Sequence, residues 1–190
     1  MNDLTRIVAA MDLAARLHTG QTRKGPRQEP YLNHVVEVAH MLAEATDGQD
    51  PVLIIGGLLH DGLEDGPESP EERAVLERQI ESDFGAEALS LIREVTDPES
   101  ANEAERWQNQ IDSAPHKSDR GKLLKIADKT SNLREIVRDP PPHWDRAHRL
   151  AYCEWARDVV AGCRGLNETL ENWFDKIFEE AVQKYGTESC

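Results

Sequence analysis

The stretch VLIIGGLLHDGLED, residues 52–65, decides the fold. Its first half is apolar enough to form either a buried helix or a buried strand, because periodicity does not separate the two in so short a run. We favour a helix, because the pair Gly56-Gly57 permits close helix packing and the polar residues that follow keep helical spacing. The pair His60-Asp61 then stands at the end of a buried element, where an imidazole and a carboxylate need partners or a metal ion.

Apolar residues recur at helical spacing along most of the chain outside this stretch. The pattern predicts helices over residues 4–17, 35–47, 51–59, 71–82, 86–95, 123–137, 143–163 and 167–184. The polar residues 97–118 are expected to form a further helix or a flap. No stretch of useful length alternates between polar and apolar residues, as a strand with one buried face would. The sequence therefore predicts an all-α, single-domain bundle of about eight to nine helices over residues 1–190.

The net charge of −14 limits the functions open to this chain. A broad nucleic-acid footprint needs clustered Lys and Arg, so no nucleic-acid partner is expected. If the substrate is phosphorylated, a bound metal ion and a few basic residues must overcome the repulsive average field. Lys122, Lys125 and Lys129 could supply that local charge, or they could be ordinary surface residues.

Cysteine content and hydropathy predict a soluble cytoplasmic protein. The three cysteines, Cys153, Cys163 and Cys190, are odd in number and match no thiolate zinc site, which favours a reducing compartment. The N-terminus lacks the apolar core of a signal peptide. The longest apolar run, residues 52–59, is far shorter than the ~20 residues that span a bilayer. No membrane partner is expected, and the sequence predicts no particular oligomeric state.

Four metal-binding side chains stand in or beside apolar helical segments: His34, His60, Asp61 and Asp128. Two imidazoles and two carboxylates suit Mn²⁺, Zn²⁺ or Fe²⁺ better than Ca²⁺, which prefers oxygen ligands alone. A single buried histidine is more often a structural residue with satisfied hydrogen bonds, so His60-Asp61 alone does not establish a metal site. The sequence predicts one because the four residues occur together with a second acidic pair.

Glu64 and Asp65 form this second acidic pair. Each follows one member of the His60-Asp61 pair by four residues, so on a helix it shares a face with that member. Both acids could then stand one turn from the metal, close enough to act on a water molecule. The alternative is a solvated acidic helix end, although acidic residues at a helix C-terminus oppose the helix dipole.

These residues lie in motifs that resemble the HD-domain hydrolases of the RelA/SpoT type. The matching segments are YLNH at 31–34, HDGLED at 60–65, KIADKTSN at 125–132, YCEWA at 152–156, and Arg23-Lys24 in the loop before Pro30. The likeness runs from about Ala14 to Gly165, and no synthetase or regulatory domain is expected beyond it. The chain therefore resembles a stand-alone small alarmone hydrolase.

The resemblance implies a fold, a reaction and a set of roles. It implies a helical bundle that binds Mn²⁺ and removes pyrophosphate from the 3′ position of ppGpp or pppGpp, through attack by a metal-bound hydroxide. The implied metal ligands are His34, His60, Asp61 and Asp128, and the implied catalytic residues are Glu64 and Asp65. The residues implied to bind the nucleotide are Arg23, Lys24, Asn132, His148 and Tyr152.

Two departures from the family pattern leave the substrate open. One is the unusual run Pro140-Pro141-Pro142, which could change the pocket wall, and the other is at position 148. Relatives often carry Arg four residues before the tyrosine, whereas this chain has His148 there, with Arg149 beside it. A histidine contact to phosphate would depend on pH. An adenosine alarmone such as ppApp therefore stays open, as does an HD nucleotidase or NADPH phosphatase that releases orthophosphate. A nucleotide sensor without catalysis is the third hypothesis, and the intact acidic pair and ligand set argue against it.

Overall fold

The computed structural model describes residues 2–98, 100 and 102–186. Within these residues the fold is helical and contains no strand. The helices are α1 Asp3–Leu17, α2 Leu32–Ala45, α3 Pro51–Leu59, α4 Gly62–Asp65, α5 Pro70–Phe84, α6 Ala86–Val95, α7 Glu103–Ser113, α8 Asp119–Arg138, α9 Arg146–Ala161 and α10 Glu168–Tyr185. Because α4 is a single turn of 4 residues, nine longer helices lie in the described part. The prediction of an all-α fold with about eight to nine helices is confirmed.

The deciding stretch is a helix, α3, and not a strand. The Asp50 side chain accepts a hydrogen bond from the Leu53 amide at 3.1 Å, and Pro51 occupies the first helical position. The helix ends at Leu59, as the predicted range 51–59 does, and the polar residues after it form the separate short helix α4. The amide of Asp65 still donates to the Asp61 carbonyl at 2.9 Å, so the spacing of one helical turn is kept in the short α4.

The first compact unit comprises residues 1–21 and 30–98 and contains α1 to α6. Its core forms where α3 packs against α1, α2 and α6. Gly57 permits the close approach of α3 to α2, because a Cβ atom there would lie 2.9 Å from Leu42 Cδ1 and 3.0 Å from Ala39 Cα. The close packing inferred from the glycine pair is therefore observed at Gly57.

The second compact unit comprises residues 22–29 and 99–190. In its described part, α8 packs against α9 and α10, and α9 also packs against α7. The polar segment 97–118 contains α7 and a 3₁₀ turn at Ala114–His116. Helix α8 ends at Arg138, shortly before Pro140-Pro141-Pro142, which lack the amide hydrogens needed to continue it.

Among the described residues, no helix combines the length and apolar character needed to cross a membrane. The prediction that residues 1–190 form a single domain stays a prediction, as does the location in the cell.

Candidate metal and nucleotide sites

His60 is held in one orientation in the first unit. Its side chain is buried, and its Nδ1 lies 2.9 Å from the Gly57 carbonyl oxygen. Since a carbonyl only accepts, Nδ1 must carry the proton. The other ring nitrogen, Nε2, then faces Asp61 Oδ2 at 3.1 Å. In a neutral ring protonated at Nδ1, Nε2 carries a lone pair, as the carboxylate oxygen does. A proton or a metal cation between the two atoms is therefore needed for a favourable contact.

The Asp61 carboxylate is the centre of this cluster. Its Oδ2 accepts a hydrogen bond from the Tyr31 hydroxyl at 2.7 Å and lies 3.6 Å from Nε2 of His34, near the start of α2. The His34 and His60 rings stand edge to face with centroids 5.3 Å apart. The structure therefore brings together the three predicted ligands of the first unit, with two imidazole nitrogens facing one carboxylate oxygen.

The electrostatics of this cluster favour a charged Asp61. Burial by itself raises the pKa of this carboxyl, but the adjacent His60 and His34 outweigh burial and hold the pKa well below its ordinary value. An ionised carboxylate flanked by two imidazoles is a donor set that suits a divalent transition metal.

The two acids of α4 have different surroundings. Asp65 has a raised pKa, because partial loss of water and the negative charge of Asp61 both disfavour its ionised form. The nearby His18, His60 and His34 oppose that shift without cancelling it. A carboxyl whose pKa is raised in this way binds protons more readily than an ordinary aspartate, which suits proton transfer.

Glu64 makes a structural contact that the sequence does not reveal. Its Oε1 accepts a hydrogen bond from the backbone amide of Asp97 at 2.6 Å, which fixes the segment after α6. The catalytic roles predicted for Glu64 and Asp65 both stay predictions.

Asp128 lies in the second unit, in the middle of α8, and is buried. One carboxylate oxygen accepts from Asn132 Nδ2 at 2.6 Å, and the other lies 3.0 Å from Lys129 Nζ. The Asn132 side chain in turn accepts from the Arg23 guanidinium at 2.9 Å. Three predicted site residues of this unit, Arg23, Asn132 and Asp128, thus form one hydrogen-bonded chain with Lys129 at its end.

The other predicted nucleotide-binding residues of the second unit surround Trp144. The Lys24 Nζ lies 5.9 Å from the centroid of the Trp144 ring, and the Tyr152 ring is 5.1 Å from it. Burial raises the pKa of the Tyr152 phenol above its ordinary value, and the charge of Asp128 adds to that effect. Tyr152 is therefore neutral at physiological pH and can serve as a hydrogen-bond donor.

His148 occupies an aromatic pocket in the second unit. Its ring centroid is 4.4 Å from that of Trp144 and 6.1 Å from that of Trp107. The neighbouring Arg149 donates to the Pro141 carbonyl at 3.2 Å and lies over the Tyr185 ring. Both side chains thus make contacts within the protein. A role of His148 or Arg149 in binding a phosphate group stays a prediction.

Sequence reasoning did not predict the contacts of three residues that the structure places at these clusters. Tyr31 holds Asp61, Lys129 pairs with Asp128, and Trp107 stacks on Trp155 with an interplanar angle of 15°. Tyr31 could have been found from its position three residues before His34. The Lys129 pairing has a weaker signal, because neighbouring residues on a helix usually point in different directions.

Comparison with known proteins gives consistent matches. The family described as HD domain matches residues 10–152. Guanosine-3′,5′-bis(diphosphate) 3′-pyrophosphohydrolase MESH1 of Mus musculus is 37% identical over 179 residues, which cover 94% of this chain and 96% of the mouse protein. The protein of the same name from Drosophila melanogaster is 37% identical over 175 residues, which cover 92% of this chain and 94% of the fly protein.

A solved structure gives the same result at the level of the fold. It is described as a metazoan ortholog of SpoT that hydrolyzes ppGpp, and it is 36% identical in sequence. It matches with a TM-score of 0.83, covering 92% of this chain and 94% of its own. The resemblance read from the sequence motifs is confirmed.

Proposed function

Since this chain belongs to the HD-domain family, we propose that it hydrolyses guanosine 3′,5′-bis(diphosphate), ppGpp, and releases pyrophosphate from the 3′ position. The observation that carries this proposal is the match, over nearly the full length of both chains, to relatives named for that reaction. The family match also spans parts of both compact units, which supports one HD-type domain over residues 1–190.

We propose a divalent metal ion as cofactor, held by His34, His60, Asp61 and Asp128. The first three fit such an ion, because the two Nε2 atoms face one ionised carboxylate and the Gly57 carbonyl fixes the ring of His60. Asp128 is proposed as the fourth ligand from its place in the family motif. Mn²⁺ is the proposed native ion, and the same nitrogen and oxygen donors would also accept Zn²⁺ or Fe²⁺.

The proposed mechanism assigns the proton transfer to α4. The ion, when bound, supplies a Lewis acid that activates water and offsets negative charge on the phosphoryl oxygens. Asp65 accepts the proton from the attacking water, which its raised pKa favours. The bond between phosphorus and the ribose 3′ oxygen breaks, and this oxygen leaves with a proton. Glu64 keeps the Asp97 backbone in place beside these groups and could donate that proton.

The proposed nucleotide contacts come from the second unit. Arg23 is held by Asn132 and can give its remaining donors to phosphate or stack on the base. Lys24 lies above Trp144 and adds a positive charge beside an aromatic surface that suits a purine. Tyr152 is proposed to donate its hydroxyl to the substrate. These local cations offset the repulsion expected from the net charge of −14.

Product analysis tests the proposal. Purified protein should release pyrophosphate from ppGpp with added Mn²⁺, and a chelator should abolish the reaction. Asp61→Ala should lose turnover, whereas Asp12→Ala, which removes a carboxylate that is 65% exposed, should not. Full activity of Asp61→Ala would contradict the proposed metal site.

The same assay separates the alternatives. ppApp and NADPH should be tested beside ppGpp, because His148 stands where relatives often carry Arg. Orthophosphate from NADPH, with no pyrophosphate from either alarmone, would replace the proposed activity by that of a phosphatase. Tight binding of ppGpp without any product in saturating Mn²⁺ would indicate a nucleotide sensor.

A further inference from the structure

The loop that carries Arg23 and Lys24 is folded back on itself within the second unit. The Arg23 amide donates to the Glu29 carbonyl at 2.8 Å, and the Gln28 amide donates to the Gly25 carbonyl at 3.0 Å. Gln28 adopts a left-handed backbone with φ of 48°, which non-glycine residues adopt infrequently. These contacts close residues 22–29 into a compact turn.

Asp139, the residue that follows α8, holds the inner side of this turn. Asp139 is buried, and its Oδ2 accepts a hydrogen bond from the Arg27 backbone amide at 2.9 Å. Gly25 lies directly against it, since a Cβ atom on Gly25 would be 2.2 Å from both the carbonyl oxygen and Oδ2 of Asp139. Any side chain larger than hydrogen at position 25 must therefore displace the loop or the end of α8.

The other contact of the loop is made to the same helix. The Arg23 guanidinium donates to Asn132, which donates to Asp128. Asn132 and Asp139 are separated by about two helical turns. Asn132 in α8 and Asp139 just after it therefore fix the loop at two points, and α8 also carries Asp128.

We propose that Gly25 and Asp139 are positioning residues that set the affinity for the nucleotide by fixing the place of Arg23. This inference rests on the proposed function and adds two residues that act through the position of Arg23. Arg23 binds the substrate before and during the reaction, so its displacement removes binding that is common to the ground state and the transition state. Such a loss raises KM and leaves kcat nearly unchanged.

Steady-state kinetics with ppGpp and Mn²⁺ test this role. Gly25→Ala and Asp139→Ala should each raise KM by about tenfold to a hundredfold, which is the effect of losing one hydrogen bond to a charged group. The kcat of both variants should stay within about threefold of wild type. Asp139→Asn should restore KM, because its amide oxygen can still accept from the Arg27 amide. An unchanged KM for Gly25→Ala and Asp139→Ala would overturn the proposal.

A matched control lies in the same loop. The Arg27 side chain is 59% exposed and lies 3.8 Å from Asp139, whereas its backbone amide makes the close contact. Arg27→Ala should therefore leave KM within about twofold of wild type, as an exposed ion pair contributes little. A second check is a double-mutant cycle. In an Arg23→Ala background, Gly25→Ala should add less than about a twofold change, and a full additional rise in KM would contradict action through Arg23.

Hydrogen exchange gives a result that does not depend on turnover. Asp139→Ala should speed amide exchange in residues 22–29 and leave the α10 amides protected as in wild type. Unchanged exchange at the Arg27 amide would overturn the anchoring, whatever the activity. If the wild-type protein does not hydrolyse ppGpp but this exchange change occurs, the proposed function fails and the anchoring of the loop stands.

Discussion

The Tyr31→Phe variant isolates one contact of the proposed metal site. The substitution removes only the hydroxyl that donates to Asp61 Oδ2 at 2.7 Å. The ring contacts of Tyr31 with His18 and His34, at centroid distances of 5.0 and 5.4 Å, can remain. A change in metal affinity would therefore report on the orientation of the Asp61 carboxylate.

The structure sets the size of the expected effect. A hydrogen bond to a charged group contributes about 1.5–3 kcal/mol. The Asp61 side chain is 18% exposed, so water can replace part of the lost bond. We therefore take the lower end, about 1.5 kcal/mol, which corresponds to about a tenfold change in an equilibrium constant. Partners of this kind typically change metal affinity by about 10–100-fold, so the two figures agree.

Titration of activity against Mn²⁺ concentration measures this effect. The concentration for half-maximal activity should rise about tenfold in Tyr31→Phe, and kcat at saturating Mn²⁺ should approach that of wild type. Calorimetry with Mn²⁺ alone checks the binding constant without substrate. An unchanged Mn²⁺ affinity combined with a low kcat would refute the reasoning, because the hydroxyl would then act in the reaction and not on the ligand.

Three further predictions concern the candidate catalytic acid Asp65 and two buried contacts. Asp65→Asn should lower kcat by about 10²–10⁴-fold. Because the pKa of Asp65 is raised, ionisation of this carboxyl opposes folding. In metal-free thermal unfolding over pH 3–7, the wild type should therefore lose stability relative to Asp65→Asn as pH rises through the window above the ordinary aspartate pKa. Gly57→Ala should lower the free energy of unfolding in urea by about 1 kcal/mol or more, since overpacking against Leu42 costs about 1–3 kcal/mol and exceeds the gain in helix propensity. Lys129→Met should lower the free energy of unfolding in urea by about 3 kcal/mol, because it leaves the buried Asp128 carboxylate without its cation. An undiminished kcat in Asp65→Asn would contradict the role of Asp65 in proton transfer. A free energy of unfolding equal to that of wild type in Gly57→Ala or Lys129→Met would contradict the packing or the ion pair assigned to that residue.

The helical fold and the candidate ligands could be predicted because both depend on local sequence. Helical periodicity is a property of residues three and four apart, and it predicted α3 and α8 within a few residues. The sequence did not predict the break between α3 and α4. The chain turns at His60 and Asp61, and the sequence carries no proline or strong helix-ending signal at that point.

The contact of Glu64 with Asp97 and that of His148 with Trp107 could not be predicted, because each joins residues distant in the chain. Glu64 binds the backbone amide of Asp97, 33 positions away, and no side-chain pattern marks a backbone donor. The phosphate contact that the resemblance implies for His148 stays a prediction, and the structure adds that the ring of His148 packs beside Trp107 and Trp144. The affinity of such a pocket for phosphate depends on packing that sequence spacing does not encode.

By itself, the sequence determined the helical class, the net negative charge and the motif residues that mark the family, because these follow from composition, short-range periodicity and residue identity. Only the tertiary structure decided how those residues are held. It placed the Tyr31 hydroxyl on Asp61 and put Asp139 under the loop that presents Arg23. The physical reason is that hydrogen bonds and close packing act over a few ångströms in space, and in a folded chain such neighbours come from segments far apart in sequence.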